Sequence, residues 1–355
     1  MLNMEQLLRM IVDKGASDLH LTVGIPPQLR IAGQLVYTDL EALLPDTIKQ
    51  LAYSLLTDAQ RERFETQKEL DFSCGIENIS RFRINLYYQR GSVAMAARVI
   101  PFTIPTMEQL ALPAIIRDYA DKPSGLILIT GATGSGKSTT QAAIIDYINK
   151  KRRAHIIAIE DPIEYLHKHN KCTINQRQLG TDTLSFGSAL KHVFRQDPDV
   201  VIIGEMRDLE TIQAALTLAE TGHLILATLH TGSAVNSISR IVDVFPAHQQ
   251  QQIRVQLSLV LIGVIVQQLI PNTQGSGRQL AMEIMTVISG IQNLIRENNI
   301  HQIYSLIQTG RRYGMYTMNQ SLCDLVVDNK ITFNEALKHT LDEEELTTLL
   351  RKKKE

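Results

Sequence analysis

Apolar residues follow two different rhythms along this chain. In the first hundred or so positions, helix-like and strand-like patterns alternate over short distances. Met4 to Lys14 reads as a helix, and Ser17-Asp18-Leu19-His20-Leu21 alternates like a strand. Arg30 to Val36 reads as another strand, with Gly33 at a turn. Ile48, Leu51, Leu55 and Leu56 are spaced as on one helix running from Ile48 to Phe64. Two further strands, Arg81–Gln89 and Ser92–Ile100, flank Arg90-Gly91 as a two-residue turn. That turn sets a register in which Phe82 faces Val99, Ile84 faces Ala97, Leu86 faces Met95 and Tyr88 faces Val93. All the apolar residues then share one face, and Arg83 lies across from Arg98 on the other. Pro101 and Pro105 mark the end of this unit.

From about Gly125 the rhythm changes. Short, wholly apolar runs are each followed by a polar turn or a helix: Leu126–Thr130, Ile156–Ile159, Val200–Ile203 and Leu224–Thr228. Runs of that length predict parallel strands buried on both faces, and the active sites of such sheets lie beyond the carboxyl ends of the strands. Val255 to Ile270 is the most apolar stretch, interrupted by Gln256, Gln267 and Gln268, and reads as a buried helix. It is too short to span a bilayer comfortably, so no direct membrane insertion is expected. Ile331 to Glu355 reads as a charged helix, basic at its tip, whose lysines complement the helix dipole.

The candidate chemistry gathers where those strands end. After Leu126–Thr130 comes Gly131-Ala132-Thr133-Gly134-Ser135-Gly136-Lys137-Ser138-Thr139, a P-loop pattern between a strand and a helix. Its glycines let backbone amides turn in around phosphates, Lys137 reaches the β- and γ-phosphates, and the Ser138 hydroxyl ligates magnesium. A helix starting near Lys137 points its positive end at the anion. ATP with Mg²⁺ is the ligand this pattern predicts, and hydrolysis the reaction. The second strand ends in Glu160-Asp161-Pro162-Ile163-Glu164. Its carboxylates can bind magnesium, take a proton from the attacking water, or simply decorate a helix start. The third ends in Gly204-Glu205-Met206-Arg207-Asp208, where Glu205 is placed as a Walker-B carboxylate. The fourth is flanked by His223 and His230. His230, at the carboxyl end, can hydrogen-bond a γ-phosphate, whereas His223 stands at the opposite end.

Like charges directly across a strand pair are unfavourable, so Arg83 and Arg98 call for an anion. A phosphoryl group of a neighbouring subunit would meet that need, as would local salt bridges or solvent. Bulk numbers narrow the remaining classes. The 355 residues carry 36 basic and 37 acidic side chains, which leaves no electrostatic footprint for a nucleic-acid translocase. Three scattered cysteines, Cys74, Cys172 and Cys323, form no CxxC pair and offer no zinc site; with no signal peptide they point to a reducing cytoplasm. A nucleotide kinase would need an acceptor site, for which no signal exists.

Taken together, Gly131–Ser138, Glu160–Glu164, Gly204–Asp208 and Gly222–Thr231 resemble the Walker A, Asp, Walker B and His boxes of the secretion ATPases. Within that superfamily the chain resembles the type IV pilus retraction ATPases over nearly its whole length. Gly15-Ala16-Ser17-Asp18-Leu19-His20-Leu21, Arg81-Phe82-Arg83, Asn175-Gln176-Arg177 and Arg195-Gln196-Asp197-Pro198-Asp199 carry the same likeness. So does Gly290-Ile291-Gln292-Asn293-Leu294-Ile295-Arg296-Glu297, similar to the AIRNLIRE motif, with Gly290 and Gln292 in place of its alanine and arginine.

The resemblance implies an α/β chain: a PAS-like α+β domain at 1–100, a linker at 101–120, and a RecA-like ATPase domain with a helical C-terminal region at 121–355. It implies a cytoplasmic homohexamer docked at the pilus base on an inner-membrane platform protein, driving retraction and twitching motility. Glu164 would position the attacking water, Glu205 would support magnesium and the water network, and Arg83 and Arg98 would enter an active site. Assembly ATPases of the superfamily typically carry a further N-terminal domain and a tetracysteine zinc motif. Their absence from this sequence favours retraction. An accessory retraction paralogue and a type II secretion or conjugation ATPase are the alternatives.

Overall fold

Asn3 opens the first helix with a reciprocal cap, its side chain accepting from the Gln6 amide while Gln6 reaches back to the Asn3 amide. The computed structural model describes residues 3–31, 33–76, 80–100, 103–275 and 277–354; Pro101 and Glu355 therefore lie outside the described residues. The chain divides into two compact units, residues 1–103 with 164–166, and residues 104–163 with 167–355.

The first unit contains α1 (Met4–Asp13), β1 (Asp18–Leu21), β2 (Gln28–Ile31), β3 (Gln34–Tyr37), α2 (Pro45–Tyr53), α3 (Asp58–Gln67), β4 (Glu69–Ile76), β5 (Ser80–Gln89) and β6 (Ser92–Ile100). Its strands form an antiparallel sheet in the order β3-β2-β1-β6-β5-β4. Leu7, Leu8 and Ile11 of α1, Ile48 and Leu51 of α2, and Phe64 of α3 share one core with the apolar face of the sheet. This is the α+β, PAS-like unit. The hairpin register holds pair for pair: Phe82 faces Val99, Ile84 faces Ala97, Leu86 faces Met95, Tyr88 faces Val93 and Arg83 faces Arg98.

Two expectations for this unit need correction. The helix expected over Ile48–Phe64 is two helices, because Thr57 caps α3 reciprocally with Gln60 and so starts a new helix. The strand expected over Arg30–Val36 is a hairpin of β2 and β3, in which Arg30 pairs with Leu35 and Ile31 with Gln34 around Gly33. Gly33 has φ +85°, a left-handed conformation that suits glycine and reverses the chain.

The second unit begins with α4 (Ile115–Ala120) and β7 (Gly125–Thr130). Next come α5 (Lys137–Lys151), β8 (His155–Glu160), β9 (Thr173–Gln178), α6 (Phe186–Val193), β10 (Val200–Ile203), α7 (Leu209–Glu220) and β11 (Leu224–Leu229). The chain continues through α8 (Ala234–Asp243), α9 (Ala247–Val260), β12 (Leu261–Pro271) and β13 (Arg278–Thr286). It closes with α10 (Ser289–Arg296), α11 (Ile303–Thr309), α12 (Met318–Val327), α13 (Phe333–His339) and α14 (Glu343–Lys354). Sheet order is β13-β12-β7-β11-β10-β8-β9. Every pairing from β12 to β9 is parallel; only β13 runs antiparallel. All four apolar runs expected as parallel strands are parallel strands. Their residues are buried on both faces against two separate apolar clusters, the RecA-like arrangement.

The stretch Val255–Ile270 is not a single helix. Helix α9 ends at Val260, and Leu261 onward is extended and pairs with β7 on one side and β13 on the other. The β-branched run Ile262, Val264, Ile265 and Val266 suits a strand buried on both faces. Likewise the described part of the expected helix Ile331–Glu355 is two helices, α13 and α14, separated at 340–342. Among the described residues, no helix is long and apolar enough to cross a membrane.

Candidate nucleotide site

Three glycines make the loop after β7 possible. Gly131, Gly134 and Gly136 have φ of +140°, +80° and +91°. At Gly131 a β-carbon would overlap the Gln267 carbonyl oxygen and lie 2.6 Å from Ser135 Oγ. Helix α5 then starts at Lys137 with no side-chain cap on its first amides. Amides left over at a helix start, turned in by a glycine loop, form an anion cradle. Lys137, a residue only 8% exposed, donates from its ammonium to the Gly131 carbonyl at 2.8 Å and the Ala132 carbonyl at 3.0 Å. Its charge is thus held over the loop. Ser135 Oγ is buried within this loop without a hydrogen-bond partner. Ser138 and Thr139 are half-buried in the first turn of α5, while Ala132, Thr133 and Gly134 are exposed.

The neighbouring strands supply the acids. Gly204 N–H donates to the Ile159 carbonyl at 2.8 Å, and Met206 N–H to the Thr228 carbonyl at 3.0 Å. Glu205, between them, is therefore pinned to both β8 and β11. Its Oε1 accepts from Arg207 Nε at 2.6 Å and lies 3.3 Å from His230 Nε2. Burial opposes ionisation of Glu205, but Arg207 and His230 outweigh it and hold the carboxyl below its ordinary pKa. Sheet order puts β11 between β7 and β10, so His230 and Glu205 follow the two strands next along from the P-loop. Beyond them, Glu160 is half-buried and accepts from Gln176 Nε2 at 3.0 Å, and Asp161 is exposed.

The other candidates have surroundings of their own. His223 is at the amino end of β11, where its Nδ1 meets the Leu218 carbonyl at 2.9 Å and its ring stands edge-on to Phe194. That arrangement closes the turn from α7 into β11. Glu164 is exposed and belongs, with Arg83 and Arg98, to the first unit. Within that unit the anion facing Arg98 is Asp18, whose Oδ1 accepts from Arg98 Nε at 2.7 Å. Arg83 is exposed.

Several contributors carry no motif. Gln267, fully buried, donates to Thr140 Oγ1 at 2.8 Å and backs the P-loop with its carbonyl. Gln141 donates to the Leu226 carbonyl at 3.2 Å and ties α5 to β11. The only sequence signal for Gln267 was a polar residue interrupting an apolar run. Arg207, two residues from Glu205, was visible as a nearby cation. Among the described residues, no group of three or more His, Cys, Asp or Glu side chains is arranged to hold a metal by itself. Ser138 and a strand-end carboxylate are oxygen donors that would suit a magnesium ion carried in by phosphate, with water as its remaining ligands.

Residues 106–353 match the family model for type II/IV secretion system proteins. The chain belongs to this family. Among type II/IV secretion system proteins, the type IV pilus retraction ATPase PilT of Pseudomonas aeruginosa is 45% identical over 335 residues, spanning 94% of this chain and 97% of that one. The type IV pilus ATPase PilU of the same organism is 40% identical over 347 residues, 98% of this chain and 91% of the other. The crystal structure of the pilus retraction motor PilT with bound ADP matches with a TM-score of 0.93. It is 47% identical and covers 98% of this chain and 100% of that chain.

Proposed function

We propose that this protein is an ATP-hydrolysing motor that powers type IV pilus retraction. The observation that carries the reading is the length of the likeness. A retraction ATPase and a retraction motor of known structure match over more than nine-tenths of this chain and of their own. The P-loop and the Glu205–His230 pair supply the chemistry at the sheet's carboxyl edge.

In this reading the loop amides and Lys137 bind the β- and γ-phosphates. Ser138, with Glu205, Glu160 or Asp161, would hold magnesium, which screens phosphate charge when bound. Glu164 orients and deprotonates the attacking water, and His230 hydrogen-bonds the γ-phosphate. Arg83 and Arg98 reach the nucleotide of a neighbouring subunit in a homohexamer, where their charge stabilises the transferring group. The ring works in the cytoplasm, docked on an inner-membrane platform protein at the pilus base.

The test is ATP turnover by the purified protein, with magnesium and no acceptor other than water. Lys137→Ala removes the P-loop cation and should bring turnover to background while the circular-dichroism spectrum stays intact. Wild-type turnover in the folded variant would place the nucleotide site elsewhere. Deleting the protein should leave cells with excess, non-retracting pili. A second reading, an accessory retraction ATPase, stands beside it, because a second type IV pilus ATPase, PilU, matches over 98% of the chain as well. Deletion would then leave retraction weakened but present.

A further inference from the structure

Glu283 is a carboxylate in an apolar layer. It is 3% exposed, and the sheet register sets it opposite Val266, which in turn faces Thr130 just before the P-loop. Ile238, Val266 and Met318 belong to the apolar cluster on that side of the sheet. Burial pushes its pKa up, against two backbone amides that favour the charged form. One is Ala234 N–H, at 2.7 Å. The other is Met318 N–H.

Those two residues are the first of α8 and of α12. Both helices already have their own caps: Ser233 accepts from Asn236 N–H, and Thr317 from Gln320 N–H. Glu283 takes a first-turn amide of α8 that the Ser233 cap leaves over, so its carboxylate anchors the positive end of that helix. Helix α8 begins directly after the loop His230-Thr231-Gly232-Ser233. Thr231 Oγ1 is 2.6 Å from Ser237 Oγ, which ties that loop to the first turn of α8. The position of the helix start therefore sets the position of the loop, and the loop carries the imidazole 3.3 Å from Glu205.

We propose that Glu283 is a positioning residue for His230: it fixes the start of α8 against β13 and so keeps the imidazole in register with Glu205. The inference rests on the reading of His230 as a group facing the γ-phosphate.

A double-mutant cycle tests this. Glu283→Gln keeps the volume but removes the charge and replaces one acceptor oxygen with an NH2 donor beside the α8 start. Turnover and nucleotide affinity are measured for wild type, Glu283→Gln, His230→Ala and the double variant, each checked for folding. Glu283→Gln should lower kcat about tenfold, as a small misplacement of a catalytic group does, with ATP affinity unchanged. In the His230→Ala background it should cost nothing further. A folded Glu283→Gln protein with wild-type kcat overturns the proposal. So does a full second loss in the His230→Ala background, which would mean that Glu283 acts by another route. Wild-type turnover by His230→Ala alone would instead remove the underlying reading of His230. Should Glu283→Gln fail to fold, Ala234→Pro deletes the same hydrogen bond from the helix side. Proline is accepted at the first helical position, and Ser233, at φ −150° and ψ 160°, is extended as the residue before proline prefers. The same cycle with Ala234→Pro carries the same two outcomes.

Discussion

Arg98 and Asp18 show how one residue pair answers a question the sequence only raised. The unfavourable facing of Arg83 and Arg98 asked for an anion, and Asp18, directly opposite Arg98 on β1, is one. The signal was present in Ser17-Asp18-Leu19-His20-Leu21, whose alternation sends Asp18 and His20 to the polar face. What the sequence could not give is which strand lies beside β6, because that depends on the tertiary order of the sheet. Asp18 is 6% exposed. Its burial opposes ionisation, but hydrogen bonds from Ser17 and Arg98 and the charge of Arg98 outweigh that and hold its pKa below the ordinary carboxylate value. A depressed folded pKa stabilises the fold above the unfolded pKa, about 3.9 for aspartate, and that contribution fades as pH falls through the lower folded value. Thermal melts of wild type and Asp18→Asn should therefore differ clearly at neutral pH and converge in acid. A gap in Tm that stays constant into strong acid would show that the charge of Asp18 is not what stabilises the sheet.

At the scale of elements, legibility followed burial. The four strands expected from short apolar runs are all strands, because a strand buried on both faces must be apolar throughout. Strand β9, Thr173–Gln178, was invisible: at the sheet edge its residues Thr173, Asn175 and Arg177 are not buried, and no apolar run announces it. The run Val255–Ile270 misled because apolarity alone does not distinguish a buried helix from a buried strand. The P-loop was legible for the opposite reason, since its conformation needs glycine at particular places. That yields a prediction. Gly131 combines φ +140° with contact against Gln267 and Ser135. Gly131→Ala adds backbone strain of about 1–3 kcal/mol, and it pushes the loop off β12 as well. We expect a lowered Tm and loss of nucleotide binding by calorimetry. Gly134→Ala, where an added β-carbon meets nothing within 4 Å, should be the milder of the two. Equal binding defects in both variants would show that the packing against Gln267 is not what shapes the loop.

For the whole molecule, the proposed motor divides its catalytic parts between two units of the chain. The P-loop, Glu205 and His230 belong to one unit, and Arg83, Arg98 and Glu164 to the other. If the arginines serve a neighbouring subunit, their loss can be rescued in trans. An Arg98→Ala subunit keeps a sound P-loop, and a Lys137→Ala subunit keeps sound arginines. Homomers of either should be nearly inactive in ATP turnover. In mixed rings, some interfaces pair the intact P-loop of one subunit with the intact arginine of the other, and those sites should recover. Turnover should then rise to a maximum at intermediate mixing ratios, since the charge is needed only where the phosphoryl group transfers. The ion pair with Asp18 does not stand in the way: the Arg98 side chain keeps 69% of its surface exposed while that pair is formed. Because the pair also holds the sheet together, each Arg98→Ala preparation must be shown to melt cooperatively before its inactivity is read as catalytic. Full turnover by a folded Arg98→Ala homomer would remove Arg98 from the reaction. An inactive homomer that stays inactive in verified mixed rings would confine Arg98 to its own subunit, with Asp18 as its partner.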